Sequence, residues 1–174
     1  TYNVFEAARL AGVPRVVYAS THHVVGYYRA DQRVDEHAPY RPSSMYGVTK
    51  CFAEATGRLY ADKAGLQVIC LRIGLFRERP LEERHLAVWI SPADMARLVR
   101  CAVEAPGIHY EVVYGISNNT RRFWDLGRAR EVLGYEPQDD AETYAVELLQ
   151  GPSASWPERV RRIGGTKCEL PFMP

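Results

Sequence analysis

The sequence predicts an α/β domain with a mainly parallel sheet and helices on both faces. Three short apolar blocks, residues 16–19, 68–71 and 111–114, are too brief for helices and rich in strand-forming residues. Amphipathic segments alternate with these blocks, which is typical of parallel strands joined by helical crossovers. The second block is almost continuously apolar, as expected for a strand that is covered on both faces.

The chain begins with a predicted helix. In residues 3–11 apolar side chains recur at helical spacing, and Gly12 and Pro14 end the run. The strand at residues 16–19 follows. The next segment, residues 20–42, is polar, and we interpret it as a long loop.

The longest predicted helix spans residues 45–64. Ser43 and Ser44 are both suitable N-cap residues, apolar side chains recur at helical spacing, and Gly65 supplies the stop. The strand at residues 68–71 follows, and then an arginine-rich loop.

Three signals mark the start of the next helix. Ser91 is a capping residue, Pro92 occupies the first helical position, and Asp94 lies three residues after the cap. This helix is predicted to end near Glu104. The remaining predicted elements are the strand at residues 111–114 and helices over residues 124–133 and 141–149.

Length and composition limit the classes of protein. The chain has 174 residues, 47% of them hydrophobic and 25% charged, which fits one folded domain and excludes a disordered chain. A net charge of +1 argues against nonspecific nucleic-acid binding. No apolar run approaches the ~18 residues of a membrane span. Four cysteines without a Cys-x-x-Cys pair indicate free thiols in a reducing cytoplasm.

The chemistry predicted from the sequence centres on Tyr46 and Lys50. Four residues apart on a helix, they share one face. A cation within ~4–6 Å can lower a tyrosine pKa from ~10 by ~1–3 units, which lets the phenol exchange a proton with a substrate hydroxyl. Ser20 and Thr21 end a buried strand, where open α/β sheets bind ligands. The alternative is a surface contact between an aromatic ring and a cation, because the Tyr-x-x-x-Lys motif is short.

Together these features resemble an extended short-chain dehydrogenase/reductase of the NAD-dependent epimerase/dehydratase family. The resemblance covers residues 1–150 and rests on Ser20-Thr21, Tyr46-x-x-x-Lys50, the strand Leu71-Arg72-Ile73-Gly74 and the helix start Ser91-Pro92-x-Asp94. It implies the C-terminal part of a Rossmann-like doubly wound parallel sheet. Residues 151–174 are then a tail that runs over the surface or is mobile.

The resemblance also implies roles in catalysis and in NAD binding. Tyr46 would be the general base, and Lys50 would lower its pKa and bind the nicotinamide ribose. Thr21 would hydrogen-bond the reacting oxygen, and Ile73 would lie beside the cofactor. Pairing of two copies through the Tyr46 helix is implied as well.

Residues 3–8, 23–28, 71–74 and 139–142 most closely resemble the uronate dehydrogenase branch of this family. That likeness implies NAD-dependent oxidation at C1 of a hexuronate to an aldarolactone. Three residues would contact the substrate, which is a sugar or a sugar acid: His22, His23 and Arg84, the last through the carboxylate. His22 stands where the branch usually has Asn, and Leu75 where it has Ser, so the identity of the substrate is left open. The loop from Arg77 to Arg84 favours an anionic substrate, either a carboxylate or a phosphate, although a chain with 19 arginines and 3 lysines also scatters arginines over its surface.

No metal site is predicted, because His22 and His23 are neighbours on an extended loop and should point apart. Sugar-nucleotide dehydratases carry an Asp-Glu pair at these positions, so dehydration is not expected. The alternatives left open are an NAD-dependent sugar epimerase, with the same Tyr, Lys and Thr, and a non-enzymatic sensor or interaction protein with a dinucleotide fold.

The chain contains no Gly-x-Gly-x-x-Gly segment between a strand and a helix. We therefore expect a partial domain that starts in the helix before the catalytic strand, without the dinucleotide-binding part and inactive on its own. The choice between NAD and NADP is also left open.

Overall fold

The structure is a computed structural model and describes residues 1–150 and 162–171. Its helices and strands, numbered in chain order, are α1 (Tyr2–Leu10), β1 (Arg15–Thr21), α2 (Met45–Ala64), β2 (Gln67–Ile73), β3 (Leu75–Phe76), α3 (His85–Val88), β4 (Trp89–Ile90), α4 (Pro92–Glu104), β5 (Tyr110–Gly115), α5 (Gly127–Leu133) and α6 (Ala145–Gln150). Short 3₁₀ turns lie at His22–Val25, Ala141–Tyr144 and Gly165–Cys168. None of these helices has the length and apolarity needed to cross a bilayer.

The main sheet has three parallel strands in the order β1-β2-β5. Thr21 is in register with Ile73, and Ile73 with Gly115, so the carboxyl ends of the three strands meet at one edge. A second ladder joins the two-residue strands β3 and β4.

Helices cover both faces of the sheet, as predicted. Val68 and Cys70 point to the face where Phe5 of α1 and Tyr60 of α2 pack. Ile69 and the other alternate residues of β2 point to the opposite face, against α4 and α5. Because successive side chains of a strand alternate between faces, a strand with helices on both sides must be apolar throughout, which is the sequence signal read in β2.

The predicted helix boundaries are confirmed at α2 and α4. The Ser44 side chain accepts a hydrogen bond from the Gly47 amide, and Gly65 ends α2 with a left-handed φ of 67°. Ser91 caps α4 by accepting from the Asp94 amide. Ser43, the other capping candidate, is instead bonded to a histidine ring.

Two predicted loops contain short regular elements. The strand predicted at residues 16–19 runs on through Thr21, and the 3₁₀ turn His22–Val25 follows it at once. The arginine-rich loop contains α3 and the β3–β4 ladder. Runs of two to four residues are too short to produce a hydrophobic period, so these elements could not be predicted from periodicity.

The helix predicted from residue 124 begins three residues later. Trp124 is buried and stacks on Tyr114 with ring centroids 5.3 Å apart. The Asp125 side chain accepts from the Gly127 amide, so the polar contact that opens the helix comes after the tryptophan. The last predicted helix is also divided, into the 3₁₀ turn Ala141–Tyr144 and α6.

The C-terminal tail is buried at residues 163–165, more deeply than the predicted surface segment, whereas residues 166–171 are mostly exposed. Ile163 is fully buried, and its amide donates to the Tyr28 carbonyl at 3.0 Å. The Gly164 amide donates to the Gly26 carbonyl at 2.8 Å. The rest of the predicted tail, 151–161 and 172–174, lies outside the described residues.

A buried ion pair joins α2 to the sheet. Glu54 of α2 is fully buried and accepts hydrogen bonds from the Arg72 Nε at 3.1 Å and the Arg72 Nη2 at 2.8 Å. Its two carboxylate oxygens also accept from the hydroxyls of Ser20 and Tyr40. Burial acts to lower the pKa of Arg72, but the hydrogen bonds and negative charge of Glu54 outweigh it and raise that pKa. The pair fixes α2 against the carboxyl ends of β1 and β2.

We expect Glu54→Gln to lower the free energy of unfolding by about 3–5 kcal/mol, because it leaves the Arg72 guanidinium buried without a counter-charge. Asp62→Asn is the matched control: it removes a carboxylate from the same helix, but one that is half exposed in its pair with Arg58. Its expected cost is below about 1 kcal/mol. Urea denaturation measures both, and equal losses would contradict this role of the Glu54–Arg72 pair.

Candidate active site

The candidate residues meet at the carboxyl edge of the sheet. Thr21 is the last residue of β1, and Ile73, in register with it, is the last of β2. Tyr46 and Lys50 lie in the first two turns of α2, which packs across these strands. Strand ends of open α/β sheets are the usual place for ligands, because the loops that follow the strands open a crevice there.

Lys50 is held by the end of β1 and lies beside Tyr46. Its ammonium donates to the Ala19 carbonyl at 2.7 Å. The same nitrogen lies 5.6 Å from the centroid of the Tyr46 ring and 4.8 Å from that of Tyr18. Tyr46 is 51% exposed, so a ligand can reach its phenol. The predicted shared face of the two side chains is therefore present in the structure.

Thr21 is buried at the start of the turn that carries both histidines. Its hydroxyl oxygen accepts from the His23 amide at 3.3 Å and so caps the 3₁₀ turn. Ile73 approaches the same region through its backbone, since its carbonyl contacts the His22 ring at 3.1 Å, whereas its side chain packs in the core below.

The contacts of His22 define a neutral ring with the proton on Nδ1. The Ile73 carbonyl, which can only accept, faces Nδ1, and an Arg84 Nη2, which can only donate, lies 3.1 Å from Nε2. Burial, followed by the charges of His23 and Arg84, lowers the pKa of His22 well below its ordinary value. His22 is therefore a fixed acceptor for Arg84 at neutral pH.

The His23 ring connects the 3₁₀ turn His22–Val25 to the start of α2. Its Nδ1 is 2.8 Å from the Ser43 hydroxyl, and its ring meets the edge of Tyr46 with centroids 6.2 Å apart. Burial, followed by the charges of Arg84 and Lys167, lowers the pKa of His23 to about 4. The ring is thus neutral at physiological pH and can exchange hydrogen bonds with a sugar hydroxyl.

Arg84 is anchored on one side only. Besides His22, its Nη2 donates to the Ile163 carbonyl at 2.5 Å. Its Nε is buried without a hydrogen-bond partner among the described residues. Burial lowers the pKa of Arg84, and Glu82 acts in the opposite direction. A buried guanidinium N–H without an acceptor is costly unless a ligand supplies one.

The prediction that His22 and His23 point apart is wrong. In the 3₁₀ turn their ring centroids are only 4.2 Å apart. The prediction assumed extended backbone, in which neighbours alternate, whereas a tight turn places them side by side. In the part of the chain that the structure describes, no cluster of His, Cys, Asp or Glu could hold a metal ion.

Two parts of this site were not predicted from the sequence. Ser43 was predicted only as a helix cap, and the contact of Ile163 with Arg84 joins residues that are 79 positions apart. The available signal for the second was the pair Gly164-Gly165, since adjacent glycines mark places where the backbone packs closely.

The chain is similar in sequence and in fold to known proteins. Residues 1–77 match the NAD dependent epimerase/dehydratase family. The chain is 39% identical over 173 residues to the uronate dehydrogenase of Pseudomonas putida, covering 98% of this chain and 64% of that protein. It is also 39% identical over 162 residues to the NAD-dependent glucose-6-phosphate dehydrogenase of Haloferax volcanii, covering 84% of this chain and 62% of the relative.

Among solved structures, the uronate dehydrogenase of Agrobacterium tumefaciens matches with a TM-score of 0.92 at 37% identity, over 98% of this chain and 64% of that one. This match confirms the Rossmann-like α/β fold. The chain spans less than two thirds of the length of these relatives. From its fold, its sequence and the matched residues, the chain belongs to the NAD dependent epimerase/dehydratase family.

Proposed function

We propose that the protein containing this chain is an NAD-dependent oxidoreductase that oxidises C1 of a sugar acid, with a hexuronate as the best substrate. The observation that carries the proposal is the Tyr46–Lys50 pair. The lysine ammonium lies 5.6 Å from the centroid of the phenol ring and donates a hydrogen bond to the Ala19 carbonyl near the end of β1. The uronate dehydrogenases among the relatives support this substrate class.

The residues of the chain fit the nicotinamide end of NAD. Lys50 uses one of its three N–H groups on the Ala19 carbonyl, which leaves two donors for ribose hydroxyls. Tyr46 is exposed beside them. When bound, NAD would supply the acceptor for the hydride that leaves the sugar carbon. The glycine-rich turn that cradles a pyrophosphate is not among the 174 residues.

In the proposed reaction, Tyr46 takes up one proton, and Lys50 and Thr21 position the groups that exchange it. The Tyr46 phenolate oxygen accepts the proton of the C1 hydroxyl while the C1–H bond breaks, and the C1–O bond of the hemiacetal becomes the carbonyl of a lactone. The Lys50 ammonium, 5.6 Å from the centroid of the phenol ring, places a positive charge beside the group that takes the proton. The Thr21 hydroxyl holds the reacting oxygen by a hydrogen bond.

Substrate orientation is assigned to the opposite side of the site. The Arg84 guanidinium, which the His22 ring and the Ile163 carbonyl hold through Nη2, would donate to the substrate carboxylate from Nη1, because Gly165 packs against the Nε. The neutral rings of His22 and His23 are consistent with this role, because protonated rings would add positive charge beside the Arg84 guanidinium.

Net formation of NADH on mixing the full-length protein with NAD and a hexuronate tests the proposal. A dehydrogenase releases about one NADH per sugar oxidised. A sugar epimerase with the same residues returns the hydride to the sugar and forms an epimer without net NADH. A sensor forms neither product, and either of the last two outcomes would refute the dehydrogenase.

Tyr46→Phe is expected to lower turnover about 100-fold or more, because the phenol oxygen that takes the proton is lost. The fold should remain, since half of the side chain is exposed. Tyr2→Phe, which alters a similarly exposed phenol on α1, is the control and should keep full turnover. Steady-state kinetics measure the turnover of both variants, and urea denaturation measures their free energy of unfolding. Full activity of Tyr46→Phe would contradict the proposed role of the phenol.

Because His23 is neutral in the folded protein, we expect the free energy of unfolding to depend on pH. The pKa of His23 is about 4 in the folded protein and about 6.5 in an unfolded chain, so unfolding takes up a proton below about pH 6.5. Stability should therefore fall with decreasing pH, by up to about 1.4 kcal/mol per pH unit for this histidine. Between pH 6.5 and 4.5 His23→Gln should flatten the profile, and exposed His37→Gln should not. Identical slopes in the two variants would contradict the prediction.

A further inference from the structure

The C-terminal tail packs directly on Arg84, the candidate carboxylate ligand. The Ile163 carbonyl accepts from the Arg84 Nη2 at 2.5 Å, and the Ile163 amide donates to the Tyr28 carbonyl at 3.0 Å. The Gly164 amide donates to the Gly26 carbonyl at 2.8 Å. Both of these acceptor carbonyls belong to the segment just after the 3₁₀ turn of the two histidines. Main-chain hydrogen bonds therefore fix the tail relative to the candidate site.

Gly165 is the tail residue that lies against the guanidinium. A Cβ atom at this position would be 2.6 Å from the Arg84 Nε, 2.8 Å from its Cδ and 3.1 Å from its Cζ. The first two distances are too short for nonbonded atoms, so a side chain here has to displace the arginine. Gly165 also has a φ of 59°, which residues other than glycine rarely adopt. The close approach and the left-handed backbone thus both require glycine.

These contacts divide the five N–H groups of the Arg84 guanidinium. Nη2 donates to the Ile163 carbonyl and lies 3.1 Å from the His22 Nε2, so both of its N–H groups are engaged. Nε is buried beneath Gly165 and has no hydrogen-bond partner among the described residues. Nη1 has no partner there either, but it is not buried. The two N–H groups of Nη1 are therefore the ones that remain for a ligand.

A series of ring contacts connects Arg84 to the candidate proton-transfer residue. The ring of His22, which bonds Nη2, lies 4.2 Å from the ring of His23, centroid to centroid. The His23 ring in turn meets the edge of Tyr46 with centroids 6.2 Å apart. Tyr46 is held by α2 and not by the tail. A shift of the guanidinium therefore changes one end of the site and leaves the other in place.

The charge of Arg84 is not neutralised by a carboxylate within the part of the chain that the structure describes. The hydrogen bonds of its guanidinium go to a neutral ring and a carbonyl. Glu82, whose charge acts on Arg84, lies 3.0 Å from the His85 ring instead. A largely buried cation without a counter-ion favours an anion at the nitrogen that is still accessible.

We propose that Gly165 is a positioning residue, which holds the Arg84 guanidinium so that Nη1 alone meets the carboxylate of the sugar acid. This inference rests on the proposed function and deepens it, because it states how the carboxylate of the proposed substrate is recognised. With Nη2 engaged and Nε covered, the anion contacts a single nitrogen instead of the two parallel N–H groups of a bidentate contact. A side chain at residue 165 would move the guanidinium and disturb this contact.

The test compares Gly165→Ala with Gly107→Ala in the full-length protein with NAD. The two glycines have φ of 59° and 68°, so both substitutions carry similar backbone strain. A Cβ atom at Gly107 has no atom within 4 Å, whereas one at Gly165 collides with Arg84. Gly165→Ala is expected to raise the KM for a hexuronate about tenfold, which corresponds to about 1.4 kcal/mol, with kcat within about twofold. Gly107→Ala should leave the KM unchanged.

Two further variants separate positioning from a general loss of structure. Gly165→Asn adds the same Cβ atom, but asparagine adopts a left-handed backbone more readily than alanine, so it should fold and show the same loss. In a background of Arg84→Ala, Gly165→Ala should cause no further loss of hexuronate binding, because the group that it displaces is absent. A purely structural effect of Gly165→Ala would add to that of Arg84→Ala.

Calorimetric titration of each variant with the hexuronate and with the corresponding neutral hexose separates this inference from the proposed function. If Gly165→Ala weakens binding of the hexuronate alone and the wild type forms no NADH, the dehydrogenase fails and the positioning role stands. The inference is overturned if the wild type does not bind the hexuronate, if Gly165→Ala binds it normally, or if the neutral hexose loses as much. An equal loss in Gly107→Ala, or additive losses in the double variant, would also overturn it.

Discussion

The buried carboxylate of Glu54 is the constraint on which the rest of the site depends. Moving an ion pair out of water is expensive, and it is tolerated only where hydrogen bonds satisfy the remaining lone pairs. Here the Arg72 guanidinium and the hydroxyls of Ser20 and Tyr40 do so. Ser20 precedes Thr21 and Arg72 precedes Ile73, so this polar network holds the last residues of β1 and β2 against α2.

The geometry of the candidate catalytic pair follows from this arrangement. Lys50 lies one helical turn before Glu54, and Tyr46 one turn before Lys50, so all three share a face of α2. With Glu54 fixed on the strands, Lys50 reaches the Ala19 carbonyl and leaves Tyr46 open to solvent above the end of β1. A structural pair in the interior thereby sets the position of Tyr46, the proposed proton-transfer group, two turns away.

Sequence reasoning succeeded where one local pattern sufficed. The i, i+4 spacing of Tyr46 and Lys50, the serine cap of α4 and the apolar run of β2 each depend on neighbours within a few residues. It failed for the facing rings of His22 and His23, because a four-residue 3₁₀ turn leaves no period to detect. Contacts of the tail could not be predicted either: the pair Gly164-Gly165 indicates close packing of the backbone, but no local pattern identifies Arg84 or Ser43 as the partners.

The proposed function assigns proton transfer and substrate orientation to separate parts of the chain. Tyr46 and Lys50, the proposed proton-transfer residues, lie on α2, which the Glu54 network holds against the ends of β1 and β2. Arg84, the proposed carboxylate ligand, lies in the loop before α3 and is joined to the tail through the Ile163 carbonyl. A change around Arg84 can therefore alter which anion the proposed site accepts while Tyr46 and Lys50 stay in place. The relatives named for a uronate and for glucose 6-phosphate differ in the anionic group of the sugar, which is the part of the substrate that this division assigns to Arg84.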